Sequence, residues 1–192
     1  ITVAFLVNFY MPNMERELEK YRKEIEKLYS IILRELSVYL LTGKSAWSGK
    51  EIIDAENLVR KAVYYAALEE ENHKKVDDAS YYHYFKLREK QLSILKRALP
   101  LAAKMDLSED EVSHELGEYI GFLSDNVHHH NTANEYIAML DELVDELKKK
   151  EIPNTFDDFE KRAALFQLIK ELKDYLIIKS TVKPLPNSKS KK

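Results

Sequence analysis

Apolar residues recur along most of the chain at alternating steps of three and four, which is the pattern of amphipathic helices that pack in a bundle. The pattern is clearest over residues 13–41, which are predicted to form one long helix. Its apolar positions are Met14, Leu18, Tyr21, Ile25, Leu28, Ile32, Leu36 and Tyr39. Further helices are predicted over residues 50–74, 79–104, 108–127, 132–150 and 156–178. Because no segment alternates apolar and polar residues one by one, no β-strand is predicted.

Short polar breaks separate these segments and set the expected topology. In the break "IPNT", Pro153 ends one helix and Thr155 is placed to cap the next. Short connections favour antiparallel neighbours, so the sequence predicts an all-α fold, an antiparallel up-and-down helical bundle of four to six helices with a long first helix. The last helix is apolar on most sides and is expected to be well buried. Arg22 and Glu26 of the first helix are expected on a solvated face.

Composition narrows the classes of function. The chain has 192 residues with four glycines, five prolines and no cysteine, which suits one helical domain and excludes thiolate catalysis and cysteine-based zinc sites. Its net charge of −3 comes from interleaved charges of both signs. The sequence therefore shows no basic patch of the kind that binds nucleic acid. Glycine-rich phosphate loops and common hydrolase motifs are absent from the sequence. We therefore expect no nucleic-acid partner, no cofactor and no enzymatic activity.

The two ends of the chain differ from the rest. The opening "ITVAFLVNFYMPN" holds no charge before Glu15, yet it is too short for a complete membrane span and lacks the basic start of a signal peptide. Residues 1–12 are therefore expected to be either the tail of a severed membrane helix or an N-terminal segment packed on the core. Residues 13–179 are the predicted helical bundle domain, and residues 180–192 are predicted to be a disordered basic tail.

The third predicted helix carries the clearest candidate for chemistry. On a helical wheel its buried face contains Tyr81, Tyr84, Phe85, Leu92, Leu95 and Leu99. Arg88 falls inside this face, where a guanidinium must be paired because an unpaired buried charge is very costly. One interpretation is an internal salt bridge, for which Glu35 of the first helix is a ready partner. The other is a site in which Arg88 binds a ligand carboxylate while neighbouring side chains contact an aromatic body. The candidate ligand-binding residues are Arg88, Tyr81, Tyr84 and Gln91.

A weaker alternative is a metal site, because helical bundles can hold metals with Glu-x-x-His motifs. Two such motifs are present, Glu70 with His73 and Glu111 with His114. The first pair lies at the acidic end of its helix, Glu111 lies in a first turn, and His114 points away from the apolar stripe. The run "HHH" at 128–130 is more typical of a helix end than of a metal site, since consecutive helical residues point in different directions. The sequence therefore favours no bound metal.

Several separated segments together resemble a known family. They are "VNFYMPN", "YYHYFKLREKQLSIL", "HNTANEYIAMLDEL" and "IPNTFDDFEKRAALFQLIKEL". They are similar to the C-terminal domain of the putative aromatic acid exporter family, bacterial inner-membrane proteins akin to fusaric acid resistance exporters. The resemblance implies a soluble domain at the cytoplasmic face of the inner membrane that follows a block of membrane helices. It favours the severed membrane helix for residues 1–12.

These observations lead to one main hypothesis about function and two alternatives. The main hypothesis is a regulatory or assembly domain of a membrane exporter that senses an aromatic carboxylate. Its expected partners are the N-terminal transmembrane domain of the same protein, a second copy of the chain and an aromatic acid ligand. The alternatives are a di-iron-like metal-binding bundle enzyme and a free-standing soluble interaction protein.

Overall fold

The computed structural model of the chain describes residues 14–44, 46–73, 80–105, 111–128, 133–182 and 185, and of residues 72, 73 and 111 the backbone alone. Within these ranges the chain forms six α-helices and no strand. In chain order they are α1 (Met14–Thr42), α2 (Lys50–His73), α3 (Tyr81–Ala102), α4 (Glu111–Asp125), α5 (Asn134–Lys149) and α6 (Phe156–Ser180). The predicted all-α fold is thereby confirmed. The predicted tail at residues 1–12 lies outside the described residues, as does most of residues 180–192.

Local sequence signals account for two of the helix ends. The Thr155 hydroxyl accepts a hydrogen bond from the backbone N–H of Asp158 at 3.1 Å and caps the start of α6, as predicted. At the end of α1, Gly43 adopts a φ of 68° and donates its N–H to the Tyr39 carbonyl at 2.8 Å. Glycine enters this left-handed conformation without a steric penalty, so it closes the helix and begins the turn into α2.

The helices pack in the spatial order α1–α2–α3–α6–α5–α4, which returns to α1, and α1 also contacts α3 across the bundle. Arg34 of α1 pairs with Asp125 of α4, and Ser37 donates to the Gly117 carbonyl at 2.7 Å. Positions advance along α1 as they recede along α4, so these two helices are antiparallel. Two hydrogen-bonded links show the same relation between α3 and α6. The described helices therefore follow the predicted up-and-down course.

The buried face of α1 is wider than its apolar stripe. Four residues of the predicted seam are buried and four are partly buried. The helix also buries Tyr29, Leu33 and Leu40, together with two polar residues, Arg22 and Ser37. The reason is that α1 contacts three other helices, α2, α3 and α4. The prediction that Arg22 lies on a solvated face is therefore wrong, since α3 covers that side of α1.

The last helix, α6, is less buried than the sequence predicts. One face of α6 is buried, as Leu168, Leu172 and Tyr175 illustrate. The opposite face remains exposed although it carries large apolar side chains. Those side chains belong to Phe156, Phe159, Phe166 and Ile177. The expectation of a helix buried on most sides is therefore wrong for the described chain, because only α3 and α5 pack extensively against α6.

Candidate functional site

Arg88 of α3 is the centre of a buried polar network. Only 1% of the residue is exposed. Its Nε donates to the Tyr84 hydroxyl at 2.8 Å, and its Nη1 donates to Gln91 Oε1 at 3.0 Å. Its Nη2 donates to the Val127 carbonyl at 3.0 Å and lies 3.4 Å from Glu26 Oε1. The guanidinium thus binds groups of α1, of α3 and of the segment after α4.

Glu26 of α1 is the acidic partner of this network. Its Oε1 also accepts from the Tyr84 hydroxyl at 2.9 Å, and its Oε2 accepts from Arg22 Nη1 at 2.8 Å. Arg22 in turn binds both oxygens of Glu19 at 2.6 and 2.8 Å. A chain of alternating acidic and basic groups therefore runs along α1 and meets Arg88 at its inner end.

The internal salt bridge predicted for Arg88 is present, but its predicted partner is wrong. Glu35 lies nine positions beyond Glu26, or about 13 Å along the axis of α1. Because α1 and α3 run parallel, Glu26 is level with Arg88, whereas Glu35 lines a shallow groove with Trp47 and Leu99 near the other end of the bundle. A helical wheel gives the direction of a side chain but not its level relative to a neighbouring helix.

A second cation, Lys179 of α6, lies in the same interior. It is 4% exposed, its Nζ donates to the Asn126 carbonyl, and it lies 5.7 Å from the centre of the Tyr136 ring. Burial, together with the positive charge of Arg88, lowers the pKa of Lys179 to about 8. Among the described residues it forms no ion pair with a carboxylate. This part of the core therefore holds an ammonium group whose charge is only partly compensated.

Burial also changes the acidity of the tyrosines in this network. It raises the pKa of Tyr29, Tyr84 and Tyr175 above the ordinary value. Hydrogen bonds from Arg22 lower the pKa of the Glu19 carboxyl to about 2. At neutral pH the tyrosines are therefore neutral and the carboxylate is ionised.

The hydroxyl of Tyr175 is unusual within the described core. It is the one buried side-chain polar atom of the described residues that has no hydrogen-bond partner. Its backbone carbonyl accepts from Gln91 Nε2 at 3.0 Å. An unsatisfied buried hydroxyl costs about 1–3 kcal/mol, and the nearby Arg88 guanidinium offsets part of this cost by attracting the hydroxyl oxygen.

The structure places the four predicted ligand-binding residues on two levels of α3. Arg88, Tyr84 and Gln91 are buried and mutually hydrogen-bonded. Tyr81 lies one turn earlier, is partly exposed, and donates to Glu19 Oε2 at 3.0 Å. Every nitrogen of Arg88 already has a partner within the chain, so a ligand carboxylate would have to replace one of them. Ligand binding here stays a prediction.

The alternative metal residues are not assembled in the described part of the chain. His114 is exposed, and its Nδ1 lies 3.9 Å from Glu118 Oε1. Glu70 lies on α2, while the side chains of His73 and Glu111 are outside the described set. Within that set no three metal-ligating side chains come together.

Sequence reasoning missed Glu26, Lys179 and Tyr175 as members of the polar network. The signal was present for Lys179, which lies four positions after Tyr175 and so continues the buried face of α6. For Glu26 no such signal existed. Its spacing from Arg22 fits an exposed i,i+4 pair equally well, and only the packing of α3 decides between the two.

Similarity to known proteins identifies the family of this chain. Within the described helices, none is both long and apolar enough to cross a membrane. The chain is 40% identical over 190 residues to the uncharacterized protein YqjA of Bacillus subtilis strain 168, an alignment that covers 99% of this chain and 59% of YqjA. The chain thus spans less than two thirds of this relative.

A solved structure shares the fold. It is described as a putative membrane protein from Clostridium difficile 630, and it matches 87% of this chain and 97% of its own with a TM-score of 0.72. At 18% identity this likeness concerns the fold alone. Residues 15–180 match the family model described as the putative aromatic acid exporter C-terminal domain, so the chain belongs to that family.

Proposed function

We propose that this chain is the regulatory and assembly domain of a bacterial membrane exporter and that it lies at the cytoplasmic face of the membrane. The observation that carries the proposal is the family match over residues 15–180, a range that coincides with the helices from Met14 to Ser180. YqjA is longer than the aligned region, so a whole protein of this kind has room for a membrane part.

The polar network supports a mechanical link between α1 and the rest of the domain. Arg88 binds Glu26 of α1 through its guanidinium, and Tyr29 of α1 donates to the Arg88 backbone carbonyl. Both contacts lie near the middle of α1, the helix that follows residues 1–12. A change at Arg88 would therefore be transmitted to the helix that leads toward the proposed membrane part.

We further propose that the signal is an aromatic carboxylate. A ligand carboxylate has the same charge and shape as the carboxylate of Glu26, whose contact with Arg88 is the longest in the network at 3.4 Å. It would take that place on the guanidinium while Tyr84 and Tyr81 contact its ring and Gln91 its polar edge. The partly exposed Tyr81 provides the approach from solvent.

Two experiments test the two parts of this proposal separately. For the exporter role, a strain that lacks the full-length protein is complemented with the intact gene or with a gene lacking residues 15–180. Accumulation of aromatic acids and membrane fractionation are then measured. Loss of efflux together with retained membrane localisation supports the role, whereas equal efflux from both genes contradicts it.

For the ligand, isothermal titration calorimetry with a panel of aromatic acids compares the original chain with Arg88→Lys. Lysine keeps the positive charge but loses the planar fork, so affinity is expected to fall about tenfold or more. Lys20→Arg on the exposed side of α1 is the matched control and should leave binding unchanged. No binding to the original chain, or unaltered binding to Arg88→Lys with its helix content intact, would refute the ligand part alone.

A further inference from the structure

The outer face of α6 carries an apolar stripe that nothing in the described chain covers. Phe159 and Phe166 are 56% and 47% exposed, and Ile177 continues the same line. The opposite face of α6 is packed in the core. A helix that is apolar on two opposite faces is typical of one that is covered on both.

The charged residues beside the middle of this stripe are mostly basic. Within about 60° of Phe159 and Ile177 on the helical wheel the charged side chains are those of Arg162, Lys170, Lys173 and Asp174. Asp157 and Glu160 also line a groove with Phe159. Lys173 pairs with Asp141 and Arg162 donates to a backbone carbonyl, whereas Lys170 forms no ion pair with another described residue. The stripe is therefore an apolar ridge whose border around Phe166 is basic.

An acidic apolar groove lies on another side of the same molecule, between α4 and α5. Its volume is about 530 Å³. It is lined by Glu115, Glu118, Tyr119, Phe122, Met139, Glu142, Leu143 and Glu146. Phe122 and Met139 are 52% and 41% exposed, which is high for large apolar side chains of a folded domain. No basic residue is among the lining residues.

Ridge and groove match in length as well as in charge. On each wall of the groove the lining residues span seven positions, which is two helical turns or about 11 Å. Phe159 and Phe166 are also seven positions apart, so the two rings fit the length of the groove. Four glutamates line the groove and three basic residues flank Phe166 on the ridge. The apolar centres of both surfaces are left uncovered by the described part of the single chain.

We propose that the α6 ridge of one copy docks into the α4–α5 groove of a second copy. Both complementary surfaces are present on the same chain, which favours a second copy over an unrelated partner. The contact joins two different surfaces, so it is heterologous and produces closed rings or open chains rather than a two-fold dimer. This contact between copies is a specific surface for the assembly role proposed above. It can be tested in solution without measuring export.

Cysteine cross-linking tests which surfaces meet, because the natural chain has no cysteine. A tagged Phe166→Cys chain is mixed with an untagged Met139→Cys chain and oxidised. We expect a mixed product that forms faster than either homodimer. The control is Ser93→Cys, an exposed and nearly isosteric change on α3, which should not cross-link to either variant. Exclusive Phe166→Cys homodimers, or no mixed product, would overturn the proposal.

A charge exchange provides the second readout, by sedimentation velocity at several protein concentrations. Lys170→Glu and Glu142→Lys should each weaken self-association about fivefold, and the double variant should recover it. Lys23→Glu, on the exposed face of α1, is the control and should associate like the original chain. A chain that stays monomeric at high concentration, or a double variant as weak as the single ones, would refute the contact.

Discussion

The pairing of Glu26 with Arg88 is a residue-level feature whose disruption should lower stability. Removing one partner from a buried ion pair leaves the other charge uncompensated in a medium that solvates it poorly. Glu26→Gln should therefore lower the free energy of unfolding by about 3 kcal/mol. The measurement is urea denaturation followed by circular dichroism.

The matched control for this change is Glu17→Gln, on the same helix. Glu17 pairs with Lys20 at 2.5 Å, but both side chains are well exposed. Such pairs contribute about 1 kcal/mol or less, so the control variant should unfold almost like the original chain. Equal losses for Glu17→Gln and Glu26→Gln would contradict a buried role for Glu26.

Lys179 predicts a dependence of stability on pH. Its pKa in the folded chain is about 8, against an ordinary value of 10.5. Between these two values the unfolded chain binds a proton that the folded chain has released, so the free energy of unfolding should rise as pH increases from 8 toward 10. Below pH 8 the charged group opposes folding, by about 3 kcal/mol at most. Denaturant titrations at about pH 7.5, 8.5 and 9.5 measure this rise in the free energy of unfolding.

Two variants separate the effect of Lys179 on this pH dependence from the effects of other titrating groups. Lys179→Met removes the titrating group and should flatten the rise, whereas Lys148→Met, at an exposed position on α5, should keep it. Above pH 10 the trend should reverse, because buried tyrosines such as Tyr84 hold their protons in the folded chain and lose them in the unfolded one. An unchanged rise in Lys179→Met would show that another group titrates.

At the scale of helices, α1 and α4 approach closely because α4 has glycine at two positions one turn apart. A methyl group added at Gly121 would lie 2.9 Å from the Ser37 hydroxyl oxygen, and one at Gly117 would lie 2.9 Å from Leu41 Cδ2. The Ser37 hydroxyl donates to the Gly117 carbonyl at 2.7 Å. The contact between α1 and α4 therefore combines close packing with a hydrogen bond. A side chain at Gly121 would disturb this hydrogen bond.

Gly121→Ala should consequently destabilise the domain although alanine is the better helix former. The displaced Ser37 hydroxyl loses its bond, which outweighs the gain of about 1 kcal/mol in helix propensity. In a Ser37→Ala background the nearest remaining atom is Ser37 Cβ at 3.8 Å, so the same change should become stabilising. Thermal unfolding of the four variants of this cycle measures the change of sign. A destabilising effect in both backgrounds would contradict this explanation.

The contrast between α1 and α6 explains how far sequence could predict these elements. Periodicity predicts that helices exist and roughly where they end, because each depends on neighbouring residues along the chain. It identified the buried position of Arg88 for the same reason. It could not identify Glu26 or the exposed side of α6, since both depend on which helices lie next to a face. Local sequence carries little information about packing between distant segments.

At the scale of the whole bundle, the helices differ in how extensively they pack against their neighbours. α1 lies against three helices and buries nine residues, among them Ile25, Ile32 and Leu36. α5 packs mainly against α4 and α6, and it buries Tyr136, Leu140, Leu143 and Leu147. Fewer buried contacts make it less costly for α5 to open than for α1.

Native-state hydrogen exchange should therefore separate α5 from the rest of the molecule. In a dilute solution, where copies of the chain do not cover one another, α5 amides should exchange through an opening of lower free energy than the central amides of α1 and α3. Raising the protein concentration should slow exchange in α5 if a neighbouring copy fills the groove that α5 forms with α4. Uniform exchange across all helices would mean that the bundle opens only as a single unit. Slowing in α2 instead of α5 would place the contact between copies on another side of the molecule.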